Sequence, residues 1–254
     1  MHRRKTTLVP DNIDLFGKFD YEGTTPKWDN VHRYSPAPRH RRRLVIKILD
    51  QLDFADCLDV GCAQPFLIEK LQKRKDIRVA GCDISEKVIL SNKKLFPGVE
   101  FFVMDISKTQ PAGPRYDLVT CSEVLEHVEN WQIALQNISR LCCRWLLVTV
   151  PLGKIHPIDR KAGHIIHFHG DELLNMMKEL GFYPVYSQRW GFPFHSIYKY
   201  AINGIAPDKI YQSFGEANYG IWKRFVSTFL YGLFFVNDLF NSGSQFIALM
   251  EKKG

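Results

Sequence analysis

The strongest constraint on the fold lies between about Asp56 and Pro151, where short β-branched runs alternate with stretches of helical periodicity. Parallel strands need a crossover element between them and are buried on both faces, so this alternation reads as a parallel sheet wrapped by helices. Strands are predicted at Cys57–Cys62, Arg78–Asp83, Glu100–Ile106, Tyr116–Ser122 and Trp145–Val150, with later ones at Tyr183–Arg189 and Gln245–Glu251. Helices are predicted at about 38–52, 65–75, 86–95, 130–142 and 170–180. In the last of these Gly170-Asp171 supplies an opening carboxylate cap, Leu173, Leu174, Met177 and Leu180 form one apolar stripe, and Gly181 stops the helix. The expected class is α/β, with a Rossmann-like sheet covered by helices on both faces.

Two segments stand outside this alternation. Residues 1–36 are polar and carry Pro10, Pro26 and Pro36, the pattern of an arm or lid ahead of one main domain over 37–254. Residues 190–240 hold 15 of the 33 aromatics, a concentration that suits an acceptor-covering insertion over about 190–243, a dimer face, a membrane-touching surface or simply extra core. The net charge is +7, and +5 of it lies in residues 1–45. The run Arg39-His40-Arg41-Arg42-Arg43 reads either as a solvated helix face or as a set of guanidinium groups for a phosphate-bearing acceptor. Together with Lys223-Arg224 ahead of Phe225–Val236, it suggests peripheral contact with an anionic membrane.

The longest apolar stretch has about 12 residues where a membrane span needs ~20, and no apolar h-region follows the basic N-terminus. The six cysteines form no CxxC pair and read as small buried hydrophobes in a reducing compartment. The expected location is therefore cytoplasmic, at most peripheral at the inner membrane face.

The site-forming signals sit at the strand ends. Leu58-Asp59-Val60-Gly61-Cys62-Ala63-Gln64-Pro65 is a buried strand running into a small-residue turn and a helix start, and Gly61 suits either a tight turn or close approach of a ligand. Asp83 follows Gly61 by 22 residues, the spacing at which a carboxylate can take the hydroxyls of a bound ribose. Asp105 ends the third strand, so three consecutive strands each finish near an acid, where an open α/β sheet has its ligand crevice.

These residues resemble the class I S-adenosylmethionine-dependent methyltransferases, closest to the small-molecule and glycan-acting members, over about 55–185. LDVGC at 58–62, GCDIS at 81–85, VMDIS at 103–107 and YDLVTCSEVLEHV at 116–128 match four family motifs in order. The resemblance implies S-adenosylmethionine as cofactor, with S-adenosylhomocysteine as product, and a seven-stranded sheet with one reversed strand, supplied by Gln245–Glu251. It further implies that Asp59, Gly61, Cys62 and Ala63 line the methionine side and that Asp83 and Ile84 take the ribose. Asp105 and Ile106 hold the adenine by the same likeness, and Ser122 and Glu123 front the sulfonium. The first motif departs from the family in having Ala63 and Pro65 in place of further glycines. The same departure disfavours a nicotinamide site, which would need glycines at 63 and 66.

Methyl transfer to a hydroxyl needs alignment, exclusion of water and a base. His164 and His167, after the fifth strand, are the first candidates for that base, and His127 is the next. The spacing of His164, His167 and His169 matches no standard zinc pattern, so no metal is expected. The expected reaction is methylation of a small-molecule, glycan or lipid-linked acceptor at oxygen. The rival readings are an RNA methyltransferase, for which the chain lacks a separate RNA-binding module, and a non-catalytic cofactor-binding or scaffold protein of the same fold.

Overall fold

The computed structural model describes residues 32–108, 114–204 and 220–253. Helix α1 (Pro36–Leu49) leads into β1 (Asp56–Val60), α2 (Phe66–Leu71), β2 (Arg78–Asp83), α3 (Glu86–Leu95), β3 (Glu100–Val103) and β4 (Tyr116–Ser122). A 3-10 turn at Leu125–His127 precedes α4 (Trp131–Leu141), β5 (Cys142–Pro151), the short α5 (Pro157–Lys161), α6 (Gly170–Glu179) and β6 (Phe182–Trp190). Helices α7 (Phe194–Gly204) and α8 (Ile221–Leu233) and a 3-10 segment at Phe234–Leu239 then lead to β7 (Gln245–Lys252).

The seven strands lie in the order β3-β2-β1-β4-β5-β7-β6, and β7 runs antiparallel to both β5 and β6. The reversed final strand thus sits where the sequence placed it. Period-two alternation explains why helices are needed on both sides. Leu58, Val119, Leu146, Val148, Ala248 and Met250 face one core, packed by α4 and α6 through residues such as Leu135, Ile138, Leu173 and Met177. Their neighbours Cys57, Leu118, Trp145, Leu147, Ile247 and Leu249 face the other, packed by Leu44, Val45 and Leu49 of α1, Ile68 and Leu71 of α2 and Ile89 of α3. Strand β6 forms the edge, exposed along most of its length, with Pro184 at an irregularity in its pairing.

Several boundaries differ from expectation. Helix α2 closes at Leu71 rather than near 75. Strand β3 ends at Val103, so Asp105 lies two residues beyond it and does not end it. Helix α6 has His169 at its N-cap with no side-chain cap bond; Asp171 and Glu172 lie in its first turn, where they meet the positive end of the helix dipole. The predicted arm over 1–36 falls largely outside the described residues. Five of the six cysteines are buried, and all six are free thiols.

The arginine run is not a solvated face. His40 lies in the buried stripe of α1 with its ring 4.8 Å from that of Trp190, and Arg43 donates to Asp238 at 2.5 Å while stacking on Phe235 at 4.2 Å. Arg39 lies over the Tyr231 ring at 4.0 Å. The helix is therefore the platform on which the segment between β6 and β7 is seated. Asp238 also lies 3.2 Å from the His40 imidazole, so it holds two α1 side chains at once. Asp238→Ala leaves the Arg43 charge partly buried without its acid and is expected to destabilise the protein by about 1–3 kcal/mol, read by urea unfolding. An unchanged midpoint would show that the aromatic stacking alone seats the segment.

Candidate active site

The C-terminal ends of β1, β2, β4 and β5 meet at one edge of the sheet, because all four strands are parallel. At the end of β1 the chain turns through Gly61 at φ +69°. A Cβ there would fall 2.4 Å from a Val124 methyl, so the glycine is required by the turn and by the neighbouring β4 loop. Of the two uses that the sequence left open, the tight turn is observed, and it is compatible with close approach of a ligand to the same backbone. Ala63 holds φ +33° without being glycine, and its amide N–H donates to Asp83 Oδ2 at 3.0 Å. Cys62 turns away into the core behind the turn, near the Asn92 amide, and can offer only backbone to a ligand.

Asp83 accepts a second bond from the Ser85 amide at 2.9 Å, and burial pushes its carboxyl above the usual range. A carboxylate has about four lone-pair sites, so these two bonds leave acceptor capacity for a diol. Ile84 follows it, half-buried. Asp105 folds back on its own turn, accepting from the amide and hydroxyl of Ser107. Beside it Ile106 is buried, and its carbonyl accepts from Asn137 at 2.8 Å. Asp59 is buried with one side-chain bond, from the Thr120 hydroxyl at 2.6 Å, and desolvation raises its carboxyl to about 7.

Beyond β4, Ser122 and Thr149 share a hydroxyl bond at 2.8 Å, and Thr149 also reaches Glu123 Oε1 at 3.2 Å. Glu123 sits at φ +57°, an uncommon backbone for a non-glycine residue, and pairs with Arg41 of α1 at 2.9 Å. Arg41 was not singled out in the sequence, where it is one of four arginines in a run of five residues.

The histidines form a chain. His127 and His164 meet edge to face at 4.9 Å between ring centroids, and the Nδ1 of His127 lies 3.0 Å from the Gly163 carbonyl. His164 Nδ1 is 3.0 Å from His167 Nε2, which lies 3.7 Å from Asp159 Oδ2. Asp159 is held by the His156 amide at 2.8 Å and by Lys199 Nζ at 3.0 Å. His169 is exposed and stands apart. Burial lowers His164 to about 2 and His167 to about 4, the former assisted by the neighbouring imidazoles, so both rings are neutral at pH 7.

Glu126 is buried with both carboxylate oxygens unpartnered, and its carboxyl is pushed well up by burial and by Glu123. Its ligand atoms lie within 4.8 Å of those of His127 and His164, and a second set of the same kind joins Asp159, His164 and His167. Either set has the chemistry to hold a divalent cation, and His164 is common to both. The triple His spacing gave no sign of this, since the carboxylates stand outside the His164-x-x-His167 pattern, Asp159 in the short α5 before it and Glu126 beside His127. Asp159 and Lys199 were missed for the same reason: neither stands in a motif, and only the folding of α5 and α7 beside the His loop joins them.

A family model described as a methyltransferase domain matches residues 28–187. The ubiquinone biosynthesis O-methyltransferase of Coxiella burnetii (strain RSA 493 / Nine Mile phase I) is 35% identical over 149 residues, covering 53% of this chain and 60% of that protein. The enzyme of that name from Nitrosomonas europaea is 28% identical over 139 residues, covering 52% and 57%. The chain thus spans about 60% or less of the length of these curated relatives. Among solved structures, magnesium protoporphyrin IX methyltransferase from Synechocystis PCC 6803 with bound SAM superposes with a TM-score of 0.58 at 12% identity, over 98% of this chain and 100% of that one. Phosphoethanolamine N-methyltransferase 2 of Haemonchus contortus, in complex with S-adenosyl-L-methionine, gives 0.63 at 14% identity over 97% and 61%. These structures share the fold.

The raised Asp59 carboxyl carries a stability signature. Its folded value of about 7 lies above the ordinary 3.8, so the native state binds the proton more tightly, and stability from this group is lost as pH rises from about 4 through 7. Asp59→Asn is expected to raise the melting temperature at pH 8 and to leave it nearly unchanged at pH 4. Equal shifts at both pH values would refute the assignment.

Proposed function

The chain belongs to the methyltransferase-domain family, and from that membership and the site geometry we propose that it moves a methyl group from S-adenosylmethionine to a hydroxyl oxygen of a small-molecule or glycan-type acceptor. The observation that carries this reading is the buried contact of His164 with His167, beside Asp159 and beyond the sheet edge that carries Asp59 and Asp83. Oxygen is further supported by the O-methyltransferases among the relatives.

The residues fit the cofactor in two respects. Asp83 keeps free lone pairs at the end of β2, suited to the ribose diol, and Asp59 is a buried acid that a nearby cation would ionise. Asp105 and Ile106 would flank the adenine, with Ser122 and Glu123 facing the reactive end. When bound, the cofactor supplies a methyl group on a sulfonium, open to in-line attack. The chain's part is to align the acceptor, exclude water and receive one proton.

His164 is positioned for that last task, against the burial that lowers its imidazole and opposes the protonated form. Donation from His164 Nδ1–H to His167 Nε2 leaves the other His164 nitrogen as an acceptor for the hydroxyl proton. As the oxygen–carbon bond forms and the sulfur–carbon bond breaks, the proton settles on His164, whose Nδ1–H stays on His167 Nε2, and the Asp159 carboxylate, 3.7 Å from that nitrogen, favours the new positive charge only through space. Lys199 and the His156 amide fix the Asp159 carboxylate and so orient the chain. Helix α7, which supplies Lys199 and the buried His195, would cover the acceptor as part of the 190–243 insertion.

Two measurements test the reading. Asp83→Ala is expected to abolish calorimetric binding of S-adenosylmethionine and S-adenosylhomocysteine, and full retention of both would remove the ribose assignment. His164→Ala is expected to lower turnover by roughly two to four orders of magnitude while cofactor affinity changes little. Turnover within a few-fold of the unaltered protein would end the base assignment.

A further inference from the structure

Helices α7 and α8 are amphipathic in the inverse sense. None of the 13 residues of α8 is buried. Arg224, Thr228 and Tyr231, at helical spacing, face back toward the protein: Arg224 lies over the Tyr34 ring at 4.8 Å, and Thr228 and Tyr231 meet Arg39 of α1. The other side carries Ile221 and Trp222, exposed by 80% and 78%, with Phe225, Val226 and Phe229 completing the stripe. Helix α7 repeats the arrangement, with His195 and Lys199 turned inward and Ile197 and Tyr200 outward, the tyrosine exposed by 81%. Leu239 and Phe240 extend the exposed apolar residues past the end of α8.

Within the two helices the charge has one sign. Neither α7 nor α8 contains an acid, and α8 carries Lys223 and Arg224 in its first turn. Arg39, Arg42 and Arg224 are held by neutral groups, namely the Thr228 hydroxyl, the His32 carbonyl and the rings of Tyr231, Phe66 and Tyr34. Arg41 and Arg43, by contrast, are paired with acids. The like charges of Arg41, Arg39 and Arg33 add to burial in lowering Arg42 to about 10. Exposed tryptophan and phenylalanine beside arginine that pairs with no acid among the described residues match the interface of a bilayer with anionic headgroups, where the rings enter the acyl boundary and the cations stay at the phosphates. No described helix is long and apolar enough to cross a membrane, so such contact would lie in the interface plane.

We propose that the outward faces of α7 and α8 dock on an anionic phospholipid surface, seated by Trp222, Phe225 and Phe229, with Lys223 and Arg224 at the start of α8 beside the headgroups. This does not rest on the methyl-transfer reading, and its test is separate. The full chain is sedimented with vesicles of phosphatidylcholine alone and with vesicles containing phosphatidylglycerol. Partitioning is expected to be at least ~10-fold stronger on the anionic vesicles, since each basic residue near the surface contributes about 1 kcal/mol, and to weaken as salt is raised. The triple variant Trp222→Ser, Phe225→Ser, Phe229→Ser is expected to lose at least ~10-fold in partitioning with an unchanged circular dichroism spectrum and melting temperature. Absence of binding, or equal binding to both vesicles, overturns the proposal. So does a concentration-dependent dimer that the triple variant abolishes, which would assign the face to a second copy of the chain. A triple variant that melts early and shows no lipid effect would place the face against the chain itself, and this also counts against the proposal.

Discussion

A parallel strand buried on both faces has no side left for polar residues, so its chemistry is confined to its ends. In this chain the rule holds through β1, β4 and β5, whose side chains alternate between two apolar cores. Asp59 is the penultimate residue of β1, and Glu123 follows β4 directly. The second core is closed only when α1 lays Leu44, Val45 and Leu49 against the sheet. Closing it fixes the remaining sides of the same helix, and Arg41 and Arg43 are thereby carried to Glu123 and Asp238. Completion of the core and assembly of the site are thus one event, performed by one helix.

The site is correspondingly unfavourable to its own charges. Asp59, Asp83 and Glu126 all have their carboxyls raised by burial, and His127, His164, His167 and His195 all have their imidazoles lowered by it. Neutral, desolvated groups facing one another are poor contributors to stability and well prepared for a reaction that brings in a cation and releases a proton. Stability and pre-arrangement pull in opposite directions here. The positive φ of Ala63 and Glu123 lies in the same two loops, so backbone strain and unfavourable solvation are concentrated together and offset by the two cores beneath.

This division explains what the sequence made legible. Strands β2 and β4 were placed to the residue and the antiparallel β7 was placed correctly, because two-sided burial writes itself as uninterrupted apolar runs. Asp59, Asp83 and Glu123 were visible because each lies at or just beyond a strand end, while His164 and His167, set beyond α5, stood out by residue type alone. Asp159, Lys199 and Arg41 were not, because they reach the site from helices whose own sequence gives no hint of what they face. The arginines illustrate the limit well. A run of guanidinium groups on a short helix looks the same in sequence whether water, acids or aromatic rings surround it, and here the rings and acids come from residues 190 or more positions later in three of the contacts. Gly61 shows the opposite case: the motif was recognised, while the atom that requires the glycine belongs to Val124.

Helix α7 ties these levels together. Its inward residues at 195 and 199 are one helical turn apart, and the second holds the carboxylate on which the histidine chain ends. Its outward residues, Ile197 and Tyr200, are exposed to solvent. An α-helix is stiff over 11 residues, so a force that tilts or shifts the outer face also shifts Lys199 against Asp159, and with it the hydrogen bonds that orient His167 and His164. Lys199 thus ties the carboxylate beside the histidines to a helix whose other side is open to solvent.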